Sequence, residues 1–204
     1  MRKLLVTLFG LAMSTAAFGQ GEVRFSNVSL DLSSPPDRLV RLGPSLSPFH
    51  TNTPLVNFGA SSWRAQLYYG ASTASESSLI PVTAAPALFR ASTTTTEPGT
   101  WVPGNRSFTG FDTGATVNFQ VRVWDSQFGS TWELACAYPG NFCEGKSAIF
   151  RYTIPNPDVL VPPSAYAMSQ FVGFIIDVPE PGSLALTLLG LGNLVLFRRH
   201  GNQH

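Results

Sequence analysis

The segment ATVNFQVRVW, residues 115–124, alternates with a period of two. Val117, Phe119, Val121 and Val123 share one face, and Thr116, Asn118, Gln120 and Arg122 share the other. That is the pattern of a strand lying on a core. Working outward, WRAQLYY (63–69) repeats it, with Trp63, Ala65, Leu67 and Tyr69 opposite Arg64, Gln66 and Tyr68. AIFRYTI (148–154) sets Ala148, Phe150, Tyr152 and Ile154 on one side. QFVGFIID (170–177) is apolar on both faces, as a central strand covered on both sides would be. GEVRFSNVS (21–29), PLVNF (54–58) and ALFRAS (87–92) are weaker strand candidates. Turns rich in Pro and Gly separate these runs, and no long stretch between them has helical periodicity. The pattern predicts an all-β body, an antiparallel β-sandwich of jelly-roll-like form.

Charged residues make up 12% of the chain, about half the usual share. Setting aside Arg2, Lys3, Arg198 and Arg199 at the two ends leaves nine of thirteen basic residues against twelve acidic ones, a net charge of −3. A weakly acidic body whose single lysine is Lys146 does not suit nucleic acid as a partner. STTTTEPGT (92–100) is low in complexity and reads as a solvated loop. There is no internal repeat.

Both ends depart from this composition. Arg2 and Lys3 precede the apolar LLVTLFGLAM (4–13) and the small-residue STAAFGQ (14–20), the order of a secretory signal peptide over 1–19. Gly19 fits a cut ahead of Gln20, and a cut after Ala17 is the alternative. At the other end, 178–204 holds Pro179-Glu180-Pro181, an uncharged run over 182–197 and the pair Arg198-Arg199. As a helix that run reaches about 24 Å at ~1.5 Å per residue, a short single transmembrane segment. The arginines favour the cytoplasmic side, which leaves the body, 20–177, outside the membrane. The prolines hold the peptide before the span extended.

V-P-E-P, an apolar span and R-R in this order, at this end, resemble the PEP-CTERM sorting signal. The early G-x-V-x-F strand, AQLYYG (65–70), PALFR (86–90) and VRVWD (121–125) are similar to segments of small exported proteins of that family. The resemblance implies export through Sec-type machinery and a transient anchor in the inner membrane of a Gram-negative bacterium. It implies processing by an exosortase at Pro179, Glu180 and Pro181, with Arg198 and Arg199 retaining the tail. The cell surface or an exopolysaccharide matrix is then the destination.

The body offers few chemical constellations. Cys136 and Cys143 flank AYPGNF, whose Pro139-Gly140 pair reads as a hairpin turn, so export predicts a disulfide between them. No metal or cofactor is expected: His50 is the body's one histidine, too few ligands for zinc. FDTGA (111–115) matches the Asp-Thr-Gly core of aspartic proteases, which need two such aspartates. The polar GNRSFTGF before it suits a turn better, with Asp112 and Gly114 introducing the strand. Trp101, Trp124 and Trp132 fall on polar or turn-rich segments, where exposed rings would stack on sugars. The expectation is a non-enzymatic surface or matrix protein. A carbohydrate-binding module working in exopolysaccharide is the alternative, and a hydrolase using Asp112 is a remote one.

Overall fold

The computed structural model describes residues 20–28, 37–44, 52–57, 62–91, 97–138, 145–156, 160 and 162–176. The elements in chain order are β1 (Gln20–Phe25), β2 (Arg41–Leu42), β3 (Trp63–Ala71), β4 (Ile80–Pro81) and β5 (Ala87–Leu88). Then come β6 (Gly104–Thr109), β7 (Thr116–Asp125), α1 (Trp132–Ala137), β8 (Gly145–Lys146), β9 (Phe150–Thr153) and β10 (Ile175–Ile176). The protein is all-β, with antiparallel sheets and very little helix among the described residues.

β7 organises the largest sheet. On one side it pairs antiparallel with β3 along its whole length, Leu67 standing opposite Val121. On the other side it meets β8 at Arg122–Val123 and β9 at 116–119. Between those two strands Ser147 keeps the ladder closed: its amide donates to the Val121 carbonyl, and its hydroxyl accepts from the Val121 amide at 3.0 Å. β4 and β5 extend the far edge of β3. A second sheet pairs β1 with β6, Gln20 opposite Thr109. β2 and β10 form a short parallel pair.

The expected apolar face is the core. Val117, Phe119, Val121 and Val123 lie buried with Ala65, Leu67, Tyr69, Phe150, Tyr152 and Ile154. The β1–β6 sheet covers them through Phe108, whose ring stands 5.3 Å from both Tyr69 and Phe119. Phe25 stacks on Trp101 at 4.7 Å. Burying each such large apolar side chain contributes about 1.5–3 kcal/mol, so this aromatic seam is the main source of cohesion.

Several expectations change on folding. Residues 170–176 are not a central strand. Val172 and Ile175 are exposed, Phe171 and Ile176 are buried, and only Ile175–Ile176 pair, with β2. Gly173 explains the break, because a Cβ there would lie 2.2 Å from the Leu39 carbonyl oxygen; the chain passes too close to continue a regular ladder. Residues 54–57 make isolated bridges rather than a strand. Ala148 is exposed, whereas Phe150, Tyr152 and Ile154 keep their face. The polar GNRSFT is a strand, β6. Cys136 lies in α1 and not on a hairpin strand, since Thr131 caps that helix by accepting from the Leu134 amide. The signal peptide expected over 1–19 and the membrane segment expected over 182–197 lie outside the described residues. Among those described, no helix is long and apolar enough to cross a membrane.

Candidate functional site

Alternation in β1 turns Val23 and Phe25 inward and leaves Glu22 and Arg24 on the outer face. β6 brings Asn105 opposite Arg24 and Ser107 opposite Glu22. The Asn105 side-chain amide reaches diagonally and donates to Glu22 Oε1 at 2.6 Å. A single turn of 3₁₀ helix, Pro163–Tyr166, rises beside this row, held by the bridge between Arg24 and Ala167. Glu22, Arg24, Asn105, Pro163 and Tyr166 thereby line a half-open cleft of about 240 Å³.

The floor of the cleft is fixed from behind. The Tyr152 hydroxyl donates to the Glu22 carbonyl at 2.6 Å, and its ring stacks on Phe119 at 5.0 Å. Burial, with smaller contributions from Tyr166 and Glu22, raises the Tyr152 hydroxyl well above the usual tyrosine range, so it stays a donor. The cleft presents hydrogen-bond donors and acceptors together with one half-buried aromatic ring. That arrangement suits recognition.

A second polar cluster lies on the opposite face of the large sheet. Arg122 is 7% exposed, its guanidinium 4.0 Å from the Tyr68 ring centre and 4.5 Å from that of Trp132. It donates to Gln120 Oε1 at 2.9 Å and to the Glu76 carbonyl at 3.1 Å, with Glu133 at 3.8 Å. The Tyr68 hydroxyl donates to Glu133 at 2.7 Å, and burial raises it above the usual range. Lys146 pairs with Glu76 and holds that carboxyl below the usual range. The cluster fills its own space and fastens α1 to the sheet.

The three tryptophans do not form a sugar platform. Trp101 is fully buried in the aromatic seam, its indole N–H donating to the Phe25 carbonyl at 3.2 Å. Trp124 is fully buried because α1 and the loop before it cover the polar face of β7, and it donates to the Gly129 carbonyl at 2.9 Å. Trp132 is half-buried, one face taken by Arg122. Asp112 is exposed in a turn closed by the Ala115 amide donating to its carbonyl at 3.1 Å. Gly114 supplies the φ of +79° that the third position of a type II turn requires. Cys136 is disulfide-bonded, and Cys143, the chain's other cysteine, lies outside the described residues. So do His50, Ala17, Gly19, Pro179, Glu180, Pro181, Arg198 and Arg199. Among the described residues no group of His, Cys, Asp and Glu could hold a metal ion.

Sequence reasoning missed Glu22, Asn105 and Tyr166 as a group. The outward parity of Glu22 and Arg24 was available in GEVRF, but Asn105 is 83 residues away on a strand without an apolar pattern. No protein-family model, no curated protein and no solved structure matches this chain.

Proposed function

We propose that this chain is an exported, non-enzymatic protein of the cell surface or extracellular matrix, sorted through its C-terminal segment by an exosortase. The observation that carries the reading is the order of V-P-E-P, an uncharged run over 182–197 and Arg198-Arg199 at one end, behind a signal-peptide pattern at the other. The body between is a β-sandwich of jelly-roll-like form, a reading supported by the two sheets meeting through Phe108, Tyr69 and Phe119. Export agrees with the disulfide at Cys136. The turn geometry at Asp112 gives no support to peptidase chemistry.

Processing is the test. Alanine at Pro179, Glu180 and Pro181 together lets helix extend upstream and removes the recognition element. Membrane-bound precursor with its full tail then accumulates in a host that carries the exosortase. Mass spectrometry of protein from unmodified cells provides the direct check. An intact C-terminal peptide ending in His204 at the surface, at steady state, would make the tail a permanent anchor and overturn the proposal.

A further inference from the structure

We infer that the cleft between β1, β6 and the Pro163–Tyr166 turn is a saccharide site, built for a neutral sugar ring presenting neighbouring hydroxyls. Its lining decides the chemical class. Glu22 and Arg24 stand two residues apart on one face of β1, about 6.6 Å along a strand, so the cleft carries one charge of each sign. Arg24 attracts an anion while Glu22 repels it, and a cation meets the reverse, so the pair favours neither sign.

Sugar hydroxyls both donate and accept, which matches what the side chains offer. The Glu22 carboxyl accepts, and the Asn105 amide both donates and accepts. The hydrogen bond from Asn105 to Glu22, 2.6 Å, fixes those two groups relative to each other before a ligand arrives. Two planar groups held edge to edge can bridge adjacent hydroxyls.

The wall completes the match. A sugar ring is polar at its rim and apolar on its C–H faces, and Tyr166 with Pro163 supplies an apolar side to a polar floor. The Tyr152 hydroxyl and the Arg24–Ala167 bridge hold floor and wall in place, which reduces the ordering cost of binding. At about 240 Å³ the cleft lies below the ~300–1,000 Å³ of sites that enclose drug-sized ligands. It therefore takes one ring of a chain that continues out of the open side. The inference does not depend on how the C-terminus is processed.

The purified protein is tested on gluco-, manno- and galacto-configured neutral hexasaccharides, with a polyuronate hexamer as the charged comparison, followed by calorimetric titration. The expected result is binding of at least one neutral hexamer. Asn105→Ala and the isosteric Glu22→Gln each weaken it about tenfold, and Tyr166→Ala weakens it at least as much. Leu134→Ala, an exposed change on α1 at the far face, leaves it unchanged. Glu22→Gln keeps the carbonyl that Tyr152 holds, so its effect is not one of misfolding. Absence of neutral-saccharide binding, binding confined to the polyuronate, or binding indifferent to all three cleft substitutions would overturn the assignment.

Discussion

A guanidinium taken out of water loses several kcal/mol of hydration, and only close partners offset that loss. Arg122 has such partners on every side: two aromatic faces, the Gln120 side chain and the Glu76 carbonyl. It is at once a hydrogen-bond donor and a flat spacer between Tyr68 and Trp132. Truncating it to alanine leaves a void between the rings and an unpaired acceptor on Gln120. Arg122→Ala should therefore lower unfolding stability by on the order of 3 kcal/mol. Arg122→Lys should recover less than half of that, because an ammonium neither stacks as a plane nor donates as a fork. Urea titrations of the three proteins measure both effects. A lysine variant as stable as the parent would mean that charge alone, without the stacked plane, holds the cluster.

At the scale of elements, β3, β7 and β9 were legible because alternation is local and strong: Leu67, Val121 and Tyr152 each declare a face within a few residues. The second face of β7 was not. Thr116, Asn118, Gln120 and Arg122 look solvated in sequence, yet the last three are buried under α1 and the turn at Glu76–Ser78. That cover comes from residues 46 positions earlier and ten later, which no period-two reading contains. α1 itself is six residues, too short for helical periodicity, and Thr131 as its cap was the one available sign. The cleft was hidden for the same reason: β6 carries a single buried apolar side chain, Phe108, so Asn105 gave no hint of its strand. α1 carries the disulfide-bonded Cys136. Replacing Cys136 and Cys143 with serine should lower stability by roughly 2–3 kcal/mol, the loop-closure entropy of a loop this short. It should also loosen Trp132 from Arg122, read as a red shift in tryptophan emission while far-UV circular dichroism keeps its β signature. An unshifted spectrum in the serine variant would show that α1 docks without the covalent tie.

Across the whole molecule, two buried tyrosines stand on opposite sides of the large sheet. Tyr68 lies beneath α1, and Tyr152 lies between the two sheets. Burial raises both hydroxyls above the ordinary tyrosine value of 10.0. Above that value the unfolded chain gives up these protons and the folded chain keeps them. Their contribution to stability is thus complete below pH 10 and is lost as pH rises toward the higher folded values. Ultraviolet titration of the folded protein should show fewer phenolates than its five tyrosines until unfolding releases the remainder. Full ionisation of all five with the fold intact would refute the burial of these groups. The topology is also non-local, since β1 waits for β6 and β3 for β7, which favours folding in milliseconds to seconds over microseconds. The parallel pairing of β2 with β10 has a mechanical meaning. A pull on the C-terminus enters the described fold at Ile176, where the Gly43 amide holds its carbonyl at 2.7 Å and the Arg41 amide holds that of Phe174 at 3.0 Å. These bonds take the load before the long β3–β7 ladder does. Traction on the tail is then absorbed by a small sacrificial clasp, and the aromatic seam behind it is spared.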